Sequence, residues 1–413
     1  MTEPIVVATR QMVGALACVL VAFSASAQVA GPLGPLTLEA AVARALDANP
    51  ALAAARLRRA VDLARVAVAR ERPNPELHVE LTRETPKEAY GLALPIELGH
   101  KRERRIALGE ADVRTGEAEV TDVIIDVRSA VRRAYFAHAV SVARLTLQDD
   151  LLSLATRARD ATQARFDAGS APRLETLQAQ LGLAQAENDA ADAKAEVAAT
   201  RVRLNALLDW PLDATVTLAT PLDGPSPPAR EGAVTVARAG SAELALLDRR
   251  IDAQRLRIEL ARASYVPDLT PEATLTRNGD PEFHTGWRVA AAIGLPVFTR
   301  RRGAVQVEEA ALAQLSAERQ AAVTRITAEV ASVALLADAA HQRYLRYRDQ
   351  VLPQALEVER IAEDSYRLGQ TGITALLQAL QATREARLRS LEAASDFHNA
   401  LADLERAIGA PLP

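Results

Sequence analysis

The spacing of hydrophobic and polar positions along this chain changes period several times, and the changes occur twice in the same order. From Leu36 to Arg72 the period is helical. Leu38, Val42 and Ala45 share one face, and after a break at Asn49-Pro50 the residues Ala54, Leu57, Val61, Ala64 and Val68 recur at alternating steps of three and four. From Pro75 the period drops to two: Leu77, Val79 and Leu81 alternate with His78, Glu80 and Thr82. Beyond Thr85-Pro86-Lys87, Tyr90, Leu92, Leu94 and Ile96 alternate with Gly91, Ala93, Pro95 and Glu97. This pattern predicts a β-hairpin over residues 75–98. A second hairpin is predicted over 267–298. Its turn is Asn278-Gly279-Asp280, and Trp287, Val289, Ala291, Ile293 and Leu295 share one parity while His284, Gly286, Arg288 and Ala290 share the other.

Each hairpin runs into a long helical stretch. Lys101 to Ala168 holds no proline and Arg300 to Leu368 holds only Pro353, so each predicts a rod of roughly 100 Å at about 1.5 Å per residue. Val120, Ile124, Val127, Val131 and Ala134 form a heptad seam on the first. Both stretches end in a similar turn, Phe166-Asp167-Ala168-Gly169-Ser170 and Tyr366-Arg367-Leu368-Gly369-Gln370. Gly169 and Gly369 are expected to close the helices in the left-handed conformation. Ser170 and Thr371 are the expected N-caps of returning helices that pass through Leu177 and Leu377. Asp149–Leu212 aligns without a gap on Asp349–Leu412, an offset of 200 positions. The chain therefore divides into a first repeat (28–220), a proline-rich connector (221–230) and a second repeat (231–413).

The strands are close to the length of about 9 to 11 residues that crosses a bilayer at a tilt, and their alternation is that of a barrel wall with apolar residues outward and polar residues inward. Hairpins packed on a soluble core would alternate in the same way. If the strands lie in lipid, four of them cannot stand alone, because their edges would leave backbone groups unpaired in hydrocarbon. Three copies would supply twelve strands, enough to enclose water, and the chain is expected to form a homotrimer.

Composition adds a location. Arg10 precedes an apolar run from Met12 to Phe23, and Ala25-Ser26-Ala27 is a small-x-small cleavage site, so residues 1–27 read as an export signal. The only cysteine, Cys18, lies inside that signal, either as a lipid-modified residue or as a plain apolar one. A net charge of -4 gives no reason to expect nucleic acid. No phosphate loop, metal-ligand cluster or nucleophile elbow appears, so neither an enzyme nor a cofactor is expected.

The order of helix, hairpin, long helix, tip and returning helix, twice over, resembles the TolC family of outer-membrane efflux factors along nearly the whole mature length. The local markers are Leu36-Thr37-Leu38-Glu39-Ala40-Ala41, the strand ends Leu94-Pro95 and Leu295-Pro296, and the two tips. The stretch Pro95 to Arg102 is most similar to the branch serving heavy-metal cation pumps. The resemblance implies a mainly α protein with membrane β-structure: a trimeric twelve-stranded barrel above an α-helical periplasmic barrel. It also implies a passive conduit from an inner-membrane RND-type pump to the exterior. A periplasmic adaptor would dock at the tips, here Phe166, Gly169, Ser170, Leu177, Tyr366, Gly369, Thr371 and Leu377. Some members narrow the tunnel with aspartates near the tip. The matching positions are Ala375 and Gln378, with Glu175 in the first repeat, so the resemblance does not carry an acidic constriction over to this chain. A drug conduit of the same fold, or a soluble periplasmic coiled-coil adaptor or scaffold, are the alternatives.

Candidate lumen-facing residues are His78, Glu80, His284 and Arg288, on the polar parity of their strands. Single histidines without a second ligand at metal spacing predict no metal site. Lys101, Arg102, Arg104 and Arg105, with Arg300, Arg301 and Arg302, either meet anionic head groups or form a solvated helix face.

Overall fold

The structure, a computed structural model, describes residues 34–84, 86–170, 172–277, 285–296, 302–368, 370–371 and 373–412. The expected export signal with Cys18, the turn at Asn278-Gly279-Asp280, and His284, Arg300, Arg301 and Gly369 lie outside the described residues, as does the side chain of Tyr366.

Two short helices open the first repeat, α1 (Leu38–Ala48) and α2 (Pro50–Arg70). Asn49 separates them. Its side chain accepts from the amides of Ala51 and Leu52, and Pro50, which has no amide to lose, takes the first helical position. Strands β1 (Glu76–Leu81) and β2 (Glu88–Ala93) follow, then α3 (Lys101–Asp167) of 67 residues and α4 (Arg173–Leu208). The second repeat has the same sequence of elements: α5 (Arg230–Gly240), α6 (Ala242–Ala263), β3 (Leu269–Arg277), β4 (Thr285–Ile293), α7 (Arg302–Arg346), α8 (Leu352–Arg367) and α9 (Ile373–Ile408).

A π-helical turn, Tyr347–Val351, joins α7 to α8. Pro353 accounts for it, because its ring would collide with the carbonyl of Asp349 in a regular helix. Position 153 in the first repeat is serine, and α3 runs through it unbroken.

The helices form layers with free edges. Near the sheet, α2 packs on α3, α3 on α6 and α6 on α7; towards the tips, α4 packs on α3, α3 on α9, and α9 on α7 and α8. Interhelical ion pairs tie the layer together, among them Arg132–Glu405 at 2.8 Å, Asp126–Arg406 at 2.8 Å and Arg257–Asp112 at 3.2 Å. The heptad seam of α3 packs into the core over its second half, whereas Val120 and Ile124 are only half-buried and lie outside the cluster. Val127 and Val131 are buried with Tyr135 and Phe136 against Leu36, Leu204 and Leu208, and Ala134 packs at the margin. The second repeat builds a matching core from Leu244, Leu247, Ile326, Val330, Leu404 and Ile408. A window within Arg302–Ser365 is apolar enough, by length and composition, to cross a membrane. Ala322, Ile326, Val330, Ala334 and Ala337 in that stretch pack into this core, while Leu335 and Leu336 remain exposed.

Three expectations are corrected. The apolar face of α2 read from its spacing is not a core face: Leu57 (69 %), Val61 (51 %) and Val68 (62 %) are exposed, whereas Leu52, Asp62, Val66 and Ala69 are buried. The helix has a neighbour on one side only, and that side takes the acidic Asp62 because Gly116 of α3 leaves room for its carboxylate. Ser170 does not cap α4, which begins after Pro172; its hydroxyl instead donates to the carbonyl of Arg165 at 2.9 Å. The connector is seated on the second repeat as well as being extended. The carbonyl of Leu222 meets His398 Nε2 at 2.7 Å, and Asp223 accepts from Tyr344 at 2.6 Å and from Arg348 at 2.9 Å.

Candidate functional site

The four strands form one antiparallel sheet in the order β1-β2-β3-β4, so the two hairpins meet at β2 and β3. The ladder of β2 continues past Ala93: Leu94 donates to Pro271 at 3.0 Å and Ile96 to Leu269 at 2.8 Å, with Pro95, lacking an amide, between them. In-register pairing aligns side chains in rows across all four strands. Val79, Tyr90, Leu275 and Trp287 form one row and Leu77, Leu92, Ala273 and Val289 the next. These rows occupy one face and are open: Leu77 is 71 % exposed, Trp287 81 % and Val289 67 %. An aqueous face would not carry a contiguous apolar patch of this kind without a partner.

The opposite face carries the polar rows His78, Gly91, Thr274, Arg288 and Glu76, Ala93, Glu272, Ala290. His78 and Arg288 thus share a row, and Glu80 lies in the row of Ala89, Thr276 and Gly286. This face is crowded at its centre. A Cβ on Gly91 would lie 3.1 Å from the Glu272 carboxylate and 3.3 Å from the Thr274 hydroxyl, and one on Gly286 would lie 2.9 Å from the Thr276 hydroxyl. Glu272, on the polar parity of its strand, and Glu76, which the sequence reading does not name, belong to this face. Carrying the alternation of His78 and Glu80 one step further along the strand would have found Glu76. His78 lies 3.6 Å from Glu76, and among the described residues no group of three or more potential ligands could hold a metal ion.

Between sheet and helices, the basic cluster is largely wired inward. Lys101 pairs with Asp268 at 2.7 Å, Arg105 with Glu97 at 2.6 Å, and Arg104 with Glu259. Arg105 also donates to the carbonyls of Ala69 and Glu71, fastening the end of α2 to the strand exit. Gly99 (φ +71) and His100 (φ 58) make the left-handed elbow that starts α3, and a Cβ on Gly99 would lie 2.8 Å from Val266.

At the tip of the first repeat, Gly169 sits at φ +72. Its amide donates to Phe166 at 2.8 Å and that of Ser170 to Arg165 at 2.8 Å, the paired bonds of a Schellman ending. The second tip repeats the longer bond at the same offset, from Gln370 to Ser365 at 2.8 Å. Phe166, Leu177 and Leu377 are all exposed, as are Ser170 and Thr371. Arg165 pairs with Glu175 across the first tip at 3.5 Å.

Aromatic side chains, scarce along the chain, gather where the connector crosses. Phe136 stacks on His398 with centroids 3.4 Å apart, and Phe397 lies between His341 and Tyr344. Burial pulls His398 down to about 4; the bond to the Leu222 carbonyl, next in size, opposes it, the charge of Arg132 adds to the lowering, and Asp223 opposes it least. Burial, followed by the bond to Asp223, pushes Tyr344 up to about 12. No pattern of spacing in the sequence announces this cluster, since its members come from four separate segments.

A duplicated, two-faced sheet on long helical hairpins defines an outer-membrane efflux component. The chain belongs to the outer membrane efflux protein family, whose profile matches residues 41–209 and again 233–410. It is similar to the cobalt-zinc-cadmium resistance protein CzcC of Cupriavidus metallidurans, 28 % identical over 385 residues that cover 91 % of this chain and 90 % of that one. It is also similar to the nickel-cobalt-cadmium resistance protein NccC of Alcaligenes xylosoxydans xylosoxydans, 27 % identical over 58 % of this chain and 56 % of that one. Among solved structures, a membrane protein from Pseudomonas aeruginosa superposes with a TM-score of 0.75 at 18 % identity, covering 90 % of each chain. CusC superposes with a TM-score of 0.72 at 15 % identity, covering 91 % of this chain and 92 % of that one. The protein is therefore an outer-membrane efflux protein with the TolC-type fold, as its sequence predicts.

Proposed function

We propose that three copies of this chain close into a twelve-stranded barrel continued by a helical tunnel, and that the tunnel passes divalent heavy-metal cations delivered by an inner-membrane RND-type pump through a periplasmic adaptor. The observation that carries this reading is the coincidence of free edges. Strands β1 and β4 are each bonded on one side only among the described residues. The helical layer likewise ends in α2 and α4 on one side and in α7 and α8 on the other. Those edges carry exposed Leu57, Val61 and Leu181 on one side and Val307, Val358 and Ile361 on the other. Sheet and helices thus need the same neighbour, and a ring of identical subunits supplies it.

The cargo is inferred from two sources. The similar curated proteins are metal-resistance components by name. The polar sheet face sets Glu76, Glu80 and Glu272 against Arg288, an acidic excess that favours cations inside a narrow low-dielectric wall. The chain itself would be passive, and the exposed tips at Phe166, Leu177 and Leu377 fit adaptor contacts. A strain lacking this protein should lose tolerance to cobalt, zinc and cadmium and regain it from a plasmid copy. Unchanged metal tolerance with heightened drug sensitivity would replace the metal reading with a drug conduit of the same fold.

A further inference from the structure

The outward stripe of β2 does not stop where the strand ends. Tyr90 and Leu92 are followed at the same parity by Leu94, Ile96 and Leu98, each more than a third exposed. The stripe runs into a groove of about 560 Å³ formed with the Gly99-His100 elbow, and Arg72 and Arg102 also line this groove. The cations around it fall into two groups. Lys101, Arg104 and Arg105 each hold a carboxylate, and His100 faces Glu103 at 2.7 Å. Arg102 gives only its Nε, at 2.8 Å, to the backbone oxygen of Arg70. Arg72 is exposed, and neither Arg72 nor Arg102 has a carboxylate partner among the described residues. The two acidic residues of the groove, Glu97 and Glu103, are held by Arg105 and His100.

An apolar track that leaves the outward face and ends at two guanidiniums without carboxylate partners among the described residues matches the shape and charge order of one kind of molecule. We propose that this groove binds an anionic phospholipid of the periplasm-facing leaflet, with an acyl chain along Leu94, Ile96 and Leu98 and the phosphate between Arg72 and Arg102. Guanidinium forks suit phosphate oxygens in paired geometry, and each cation near an anionic headgroup strengthens binding. A lipid engages both ends of the groove, whereas a soluble phosphate engages only one. The inference rests on the reading that the outward sheet face lies in lipid.

The test uses the full chain, extracted from membranes in nonionic detergent and incubated with phosphatidylglycerol, with phosphatidylcholine and, separately, with inorganic phosphate. Retained molecules are counted by native mass spectrometry. The native protein should prefer phosphatidylglycerol to phosphatidylcholine by about five-fold or more. The R72Q/R102Q double variant should bring the two lipids to parity, and R83Q, at the far end of the hairpin, should keep the preference. R72Q alone alters an exposed side chain without an ion-pair partner, so it serves if the double variant does not assemble; it should lose part of the preference. Equal retention by native and variant proteins, or displacement of the lipid by an equal concentration of inorganic phosphate, overturns the proposal. A protein that assembles in detergent without a preference removes only the groove site. One that stays monomeric in water without detergent removes the membrane reading beneath it.

Discussion

His398 shows what a single buried side chain costs this molecule in acid. Its Nε2 lies 2.7 Å from the Leu222 carbonyl while its Nδ1 has no partner, so the neutral ring donates from Nε2. The folded chain keeps it neutral down to about pH 4, because burial opposes the charge. The unfolded chain protonates it near its ordinary value of about 6.5. Between those values only the unfolded state gains the proton, so stability is full above about pH 6.5 and falls as pH drops towards 4, by up to about 3 kcal/mol. His138, lowered first by burial and then by Arg201, acts with the same sign. Melting temperatures from pH 7.5 to 4.5 should therefore decline, and decline less steeply in H398F; equal slopes would show that the ring does not carry the effect. The parity of His78, Glu80 and Arg288 was legible in the sequence because a strand repeats every two residues. The setting of His398 was not, because Phe136, Leu222 and Arg132 reach it from distant segments.

At the scale of elements, the tips and the strands make opposite demands. Gly169 lies at φ +72, and a Cβ added there would have nothing within 4 Å, so a substitution meets backbone strain and no collision. G169V should cost about 1–2 kcal/mol locally. It should leave assembled protein in the outer membrane while lowering metal tolerance, if the tip is where the adaptor docks; full tolerance would move the docking surface elsewhere. Val289 lies in the exposed apolar rows of the sheet, 67 % open in the isolated chain. V289R should impair assembly by about 2–4 kcal/mol per copy near the bilayer midplane, seen as loss of urea-resistant outer-membrane protein. The length of α3 and the break at Asn49-Pro50 were readable from period and proline content, whereas the π-helical turn that divides the second long stretch into α7 and α8 was not. The cap at Ser170 was misplaced because a serine after a glycine can serve either helix, and only the path of the chain into Pro172 decides which.

For the whole molecule, the free edges of sheet and helical layer make one statement about copy number. Light scattering on the detergent-extracted protein, corrected for bound detergent, should give three times the chain mass. A monomer or dimer would leave the sheet's edges open and rule out the twelve-stranded wall. The exposed apolar face of α2 belongs to this scale: Leu57, Val61 and Val68 repeat like a core face and yet stay more than half exposed among the described residues. Periodicity reports that a face is to be covered, and does not say whether the cover is the same chain or another.

The sequence by itself determined the duplication, the order of elements, the alternation of the strands and the proline-free length of α3, since each depends on residues close together along the chain. Only the tertiary structure decided which charges pair across the elbow, how the connector is held by Asp223 and His398, that β2 meets β3 in register, and which apolar faces remain open. Most of those outcomes depend on contacts between residues more than a hundred positions apart, where the energy comes from desolvation and geometry that local patterns do not encode.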